Sequence, residues 1–310
     1  MRVTALAGGV GGAKLLVGLD RILAPTELTA IVNVADDADI YGVRVSPDVD
    51  IVTYWLAGIA DTNKGWGIEG DTFTVVGSLA QLGHETWFSL GDRDFATCLL
   101  RTERLREGAT LTAVTHEIAQ LLGVGPIVLP ASDDRIGTHV VTDDGRVLGF
   151  QEYFVRERTK PVVAQVRYEG IEGAKPGPDV VAAIEDADVV VVCPSNPILS
   201  VAPVVDLPGV RDALRAHPRV VAVSPIVGGS ALKGPADRLL ESLGIGSSAR
   251  AVAGLYRDFC DLFVLDRKDA VDMAVVEELG LGAIALDTIM KDHDGSARLA
   301  HELLDQAGAA

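Results

Sequence analysis

The chain is poor in cysteine, in positive charge and in long apolar runs, and each shortage removes a class of protein. Cysteine occurs three times, at Cys98, Cys193 and Cys260. The number is odd, the positions are far apart, and no Cys or His neighbour stands at metal-ligand spacing, so neither a disulfide framework nor a zinc cage is written here. Cys193 ends an apolar run with nothing cationic beside it to lower its pKa, which disfavours a catalytic thiol against a buried free one. Lys and Arg total 27 against 44 Asp and Glu, a formal charge of -17 over 310 residues. Such a chain repels phosphate backbones and anionic membranes, so neither a nucleic-acid nor a membrane partner is expected. No apolar stretch reaches the roughly 18 residues of a membrane span, and the opening MRVTALAGG lacks the apolar core of an export signal. A soluble, cytoplasmic protein is the expectation.

Apolar residues make up 48% of the chain, enough to bury one large core, and short β-rich runs alternate with helical patterns. VTALA (3–7), LTAIVNV (28–34), ADVVVVCPS (187–195), RVVAVSP (219–225) and LFVLD (262–266) run apolar and then stop at Gly, Pro, Asn, Ser or Asp. Strands buried on both faces have this pattern. Residues 12–23, 208–217, 231–244 and 268–280 carry apolar side chains at helical spacing and supply the crossovers. The fold class expected is therefore α/β, a Rossmann-like, mostly parallel sheet with helices on both faces, in a single domain spanning 1–310. Two stretches break the rhythm. Residues 71–125 read as a helical insertion. Residues 127–168 read as a small antiparallel β annex, with Asp144-Gly145 as its tight turn.

Four motifs carry chemistry. AGGVGGAK (7–14) places glycines between a buried strand and a helix, where backbone N–H groups and Lys14 suit a phosphate. It fails the P-loop pattern at Ala13 and Leu15 and the dinucleotide pattern at Lys14, and glycines needed only for packing are the plain alternative. NVADDADIYGVRVSPDVD (33–50) gathers Asp36, Asp37, Asp39, Asp48 and Asp50 between a strand end and a helix. Such a cluster suits magnesium beside a phosphate, while Asp48 or Asp50 as a helix cap is the bland reading. GWGIEGDTF (65–73) and LGDRDFAT (90–97) offer Trp66 to stack on a flat ring or to plug a core, Asp94 to cap a helix, and Arg93 to meet a phosphate or a polar ring edge. PSNPILS (194–200) and AVSPIVGG (222–229) end two strands with Ser195, Asn196, Ser224, Gly228 and Gly229, at the rim where open α/β sheets bind ligands.

Together with FQEYFV (150–155) and GPADRL (234–239), these motifs in this order closely resemble the 2-phospho-L-lactate transferase family. The resemblance runs over nearly the whole chain. It implies a magnesium-dependent transferase of coenzyme F-420 biosynthesis, in which a hydroxyl of the deazaflavin Fo attacks a phospho-acid carried on guanosine diphosphate and GMP leaves. The catalytic residues expected are Asp37, Asp50 and Arg93, with Asp37 and Asp50 of the acidic cluster as the magnesium ligands. The resemblance places deazaflavin contacts at Asp50 and Arg93, beside which Asp48, Trp66 and Asp92 are expected to contact the same ligand. Nucleotide contacts fall at Gly9, Gly11, Gly12, Lys14, Ser195, Asn196, Ser224, Gly228 and Gly229. The acid is open among phospholactate, phosphoenolpyruvate and phosphoglycerate, and a homodimer is expected. A non-catalytic nucleotide-binding regulator on the same scaffold is the alternative, with an NAD-dependent oxidoreductase further back because the dinucleotide fingerprint fails.

Overall fold

The computed structural model describes residues 1–309. Seven strands form the central sheet: β1 (Val3–Ala7), β2 (Leu28–Val32), β3 (Ile127–Pro130), β4 (Val189–Val192), β5 (Val220–Val223), β6 (Leu262–Asp266) and β7 (Gly282–Leu286). Their spatial order is β7-β6-β5-β4-β1-β2-β3, and every pairing is parallel. The inner strands read as mostly apolar runs because helices cover both faces; all four valines of β4 are fully buried.

The sequence pattern located five of these strands and missed the two at the edges. β3, IVLP, was expected in the annex; it pairs instead with β2 in the main sheet, from Thr29 opposite Ile127 to Val32 opposite Pro130. Its brevity and terminal proline are edge-strand features that mask the signal. β7, GAIAL, is half-exposed and starts on glycine, so it lacks the apolar run of an inner strand. The annex proper is a three-stranded antiparallel sheet of Gly137–Thr142, Val147–Gly149 and Val163–Glu169, with Gly145 at positive φ in the turn. FQEYFV was expected to continue its alternation, yet Glu152–Arg156 forms a wide helical turn.

Five helices shape the region around the site: α1 (Gly9–Asp20), α2 (Pro47–Leu56), α3 (Thr74–Gln81), α4 (Asp92–Arg106) and α5 (Leu111–Leu121). The last three occupy 71–125. α5 packs on β3, while α4 packs on the hairpin strand Val43–Val45, around a satellite core that includes Ile40, Val45, Leu90 and Cys98. α1 lies between α2 and the C-terminal helix His293–Ala309. Gly18 makes that contact possible, because a Cβ there would overlap the backbone of Ser296.

From β1 the chain builds β2 and β3 on one side, then crosses back to lay β4 on the other side of β1. The segments leaving β1 and β4 therefore diverge, and a crevice opens at their carboxyl ends.

Gly18→Ala should cost about 1–3 kcal/mol of unfolding free energy by forcing the two helices apart. Gly254→Ala should be neutral or stabilising by about 0.4–1 kcal/mol, since Gly254 sits in a helix with open space around it. Urea denaturation of the two variants checks the contrast.

Candidate active site

The crevice is a cleft of about 600 Å³, floored by the starts of α1 and α2 and walled by the annex, the insertion and the segment 224–236. Ser46-Pro47 opens α2, with Pro47 preset for the first helical position and Asp48 and Asp50 in the first turn near the positive helix end. Neither aspartate is the cap residue. Both carboxylates reach the cleft, Asp48 toward α1 and Asp50 toward α4.

Of the aspartates buried here, Asp36, Asp37, Asp48 and Asp50 are sorted by counter-charge into two pairs. Asp50 is clamped by Arg101 of α4, which donates Nη1 to Oδ2 at 3.0 Å and Nη2 to Oδ1. Arg101 is 1% exposed and also donates to the Arg44 carbonyl at 3.2 Å. Asp37 accepts from the Ser46 hydroxyl at 2.6 Å and lies 3.5 Å from the Arg44 guanidinium. Asp36 and Asp48 have no such partner. Asp48 accepts only from neutral donors, the Gly9 N–H at 2.8 Å and the Asn33 amide at 2.9 Å. Oδ1 of Asp36 is buried with no hydrogen-bond donor. Burial, and then the charge of Asp48, push the Asp36 carboxyl well above the usual carboxylate range; burial also raises Asp48.

This sorting bears on the expected magnesium ligands, Asp37 and Asp50. Asp37 does not line the cleft, and Asp50 already faces a buried guanidinium. The uncompensated pair that fits a divalent cation is Asp36 with Asp48, both of which line the cleft.

The glycine run is the first turn of α1 rather than a free loop, and the packing role of its glycines is explicit. A Cβ on Gly8 would come 2.5 Å from Asp48 Oδ2, one on Gly11 would overlap the Pro194 carbonyl, and one on Gly12 would come 2.8 Å from the Ser195 hydroxyl. Gly9 has φ +65°, and its N–H is given to Asp48. Gly9, Gly11 and Lys14 line the cleft; Gly12 is buried behind them. The Lys14 ammonium donates to the Met290 carbonyl at 2.9 Å, and its proton affinity is lowered by burial first and the charge of Lys233 second.

Ser195 ties β4 to β1 by exchanging hydrogen bonds with both backbone groups of Gly8. The Asn196 carbonyl caps the following turn, leaving its buried Nδ2 without an acceptor at the cleft. Ser224 lines the cleft but spends its hydroxyl on Ile226. Gly228 and Gly229 were expected to contact the nucleotide and do not line the cleft. They turn the Ile226–Ala231 hairpin at positive φ, with the Gly228 N–H held by Asp269.

The opposite wall is apolar. Phe150 and Phe154 stack with centroids 5.4 Å apart at 13°, and Phe88, Leu90 and Leu199 continue the surface. Trp66 is 38% exposed at the mouth, with the Lys64 ammonium 5.6 Å from its ring centre, so it does not plug a core. Arg93 and Asp92 depart from expectation. The Arg93 side chain is exposed outside the cleft and donates to the Glu69 carbonyl at 3.2 Å. The Asp92 carboxylate accepts from Thr72, Thr74 and Val75, capping α3 from outside; the Thr72 hydroxyl is the first cause holding it down to about 2.

The family model for 2-phospho-L-lactate transferase CofD matches residues 3–299. The chain belongs to that family. Among its relatives, a 2-phospho-L-lactate transferase of Methanosarcina mazei is 40% identical over 97% of this chain and 98% of its own. A phosphoenolpyruvate transferase of Streptomyces griseus is also 40% identical, over 99% and 98%. The crystal structure of a UPF0052 family member from Bacillus halodurans shares the fold, with a TM-score of 0.64 at 20% identity over 98% of both chains. This protein is a transferase enzyme, and a non-catalytic regulator is not favoured. Among the described residues no helix is long and apolar enough to cross a membrane.

Sequence reasoning missed several residues in or beneath the transferase cleft. Arg101 sits in an ordinary amphipathic helix pattern, and only the fold brings it under Asp50. Phe150 and Phe154 were visible in FQEYFV, where their spacing of four was the helical signal that the strand assignment passed over.

Arg101→Met, which leaves Asp50 buried without its counter-charge, should lose about 3–5 kcal/mol of stability. Adding Asp50→Leu should recover most of that loss if the penalty is the stranded charge. A urea-denaturation double-mutant cycle measures both.

Proposed function

We propose that this family member transfers the phospholactyl or phosphoenolpyruvyl-type group of a guanosine diphosphate-linked donor to a hydroxyl of the deazaflavin Fo, with release of GMP and with magnesium as cofactor. What carries the proposal is the asymmetry of the cleft. Unneutralised carboxylates, a lysine and an unpaired amide donor cluster at the α1 end, and stacked aromatics line the opposite wall. A charged diphosphate suits the first end and a flat tricyclic ring the second.

Asp36 and Asp48 would hold the magnesium. When bound, it supplies positive charge against the diphosphate and its leaving group. Lys14 and the Asn196 amide face the same end and stabilise negative charge on transferring and departing oxygens. The apolar wall excludes water and fixes the ring, so that the hydroxyl is held against the phosphorus. Little covalent work falls to the protein in such a transfer. The chemistry is that of a small-molecule enzyme, for which we expect a cytoplasmic homodimer.

The carboxylate pair gives a test that does not depend on turnover. Both carboxyls bind protons more tightly folded than unfolded, so their stabilising contribution is present below about pH 4. It is lost as the pH rises through the raised folded value, about 6 for Asp48. Magnesium replaces the missing charge only once the protons have left. Adding it should therefore raise the melting temperature more at about pH 8 than at about pH 5, with about 2.7 kcal/mol of stabilisation at a hundredfold excess over Kd. Asp48→Asn should abolish the shift and GMP release together. A shift that survives Asp48→Asn and Asp36→Asn would place the cation elsewhere, and wild-type protein that releases no GMP from Fo and the donor would remove the transfer itself.

A further inference from the structure

The start of α4 is capped from outside, which frees an acidic side chain that the sequence pattern had assigned to that task. The Asp71 carboxylate accepts the backbone N–H of Arg93 at 3.0 Å and of Asp94 at 3.1 Å. It can come so close because Gly91 has no side chain; a Cβ there would overlap an Asp71 oxygen. Asp92 is spent on the start of α3. Asp94 therefore caps nothing, yet it is 8% exposed, lines the cleft and makes no ion pair among the described residues. A buried carboxyl with no capping duty and no ion pair is costly to keep, and such groups concentrate at functional sites.

Its surroundings define what it does. The Tyr54 hydroxyl donates to Asp94 Oδ1 at 2.9 Å, while Oδ2 takes no hydrogen bond among the described residues. Tyr54 is itself pushed well above its ordinary pKa, by burial and then by Asp50 and Asp94, and remains a donor. Asp50 and Cys98 each bring a ligand atom within 4.8 Å of Asp94. The Cys98 thiol is pushed up by burial and stays protonated. The nearby guanidinium, Arg101, gives its hydrogen bonds to Asp50. Asp94 thus faces one hydroxyl donor, one carboxylate paired with Arg101, one neutral thiol and the capping Asp71.

We propose that Asp94 is the general base that takes the proton from the attacking hydroxyl. The inference rests on the transferase function proposed above and names the residue that activates the acceptor. As the acceptor oxygen bonds to the phosphorus bearing the acid, its proton passes to Asp94 Oδ2. The bond from that phosphorus to the bridging oxygen breaks, and the electron pair leaves on GMP. Tyr54 holds the carboxyl in one orientation throughout. Burial first, and the charge of Asp50 second, raise the Asp94 carboxyl to about 7, near the point where a base is both available and strong enough.

Asp94→Asn keeps an acceptor for the Tyr54 hydroxyl and so preserves the local packing. With Fo, the guanosine diphosphate-linked donor and magnesium, it should lower kcat by about 10²–10³-fold. Fo affinity, followed by the quenching of Fo fluorescence, should stay within about threefold of wild type, since a base acts on the reaction rather than on binding. With magnesium saturating at every pH, so that Asp36 and Asp48 stay deprotonated, the wild-type rate should fall as the pH drops below about 7, and that limb should be missing from Asp94→Asn. Tyr54→Phe removes a hydrogen bond that favours the charged carboxylate, so it should move the limb to higher pH, which a purely structural tyrosine would not do. The proposal is overturned if Asp94→Asn keeps the limb, stays within about fivefold of the wild-type rate, or loses Fo affinity in proportion to rate. Wild-type enzyme that binds no Fo removes the deazaflavin acceptor as well, which separates the two failures.

Discussion

Burying a carboxylate is costly unless something answers its charge, and the rim of this sheet buries five, at Asp36, Asp37, Asp48, Asp50 and Asp94. The chain answers two of them itself. Arg101 reaches Asp50 from α4, and Arg44 reaches Asp37 from the hairpin strand beneath. The other three are left facing the cleft. Much of the local architecture follows from this division: the insertion must dock where Arg101 meets Asp50, and the glycines of α1 must stay small because Asp48 presses on Gly8 and Gly9. Internal pairing fixes the frame, and the unpaired carboxylates define where ligands and protons are handled.

The inner sheet was legible because it obeys a single rule. Strands buried on both faces must be predominantly apolar, and β1, β2, β4, β5 and β6 each are, with only Thr4, Thr29 and the terminal Asp266 as exceptions. The edges were not legible because that rule relaxes there: β3 is four residues ending in proline, and β7 is largely half-exposed. FQEYFV misled for a related reason. It follows a true alternating hairpin, and local pattern alone does not mark where the chain stops pairing and turns helical.

The site was legible as a set of segments and less so as a set of roles. The segments that the motifs singled out meet in the structure, since Gly9, Gly11, Lys14, Asp48, Asp50, Trp66, Ser195, Asn196 and Ser224 line one cleft. Within each stretch, adjacent residues point in different directions on a helix, and a linear motif does not say which faces inward. In GDRD it is Asp94, not Arg93, that turns to the cleft; in VADD it is Asp36 rather than Asp37. Gly228 and Gly229 fell to a hairpin because positive φ and the contact with Asp269 account for them without a ligand.

Asp71, just ahead of α3, closes off the beginning of α4, and Asp92, in α4, closes off that of α3, so the amide dipoles of both helices are satisfied within the insertion. Anions approaching from that quarter meet no open helix end, whereas Lys14 and the Asn196 amide wait at the far side. A molecule with an ionic head and a planar body is thereby given a compass: it has one way round to lie, and the choice is made by the protein's own internal bonding before any reacting atom is engaged.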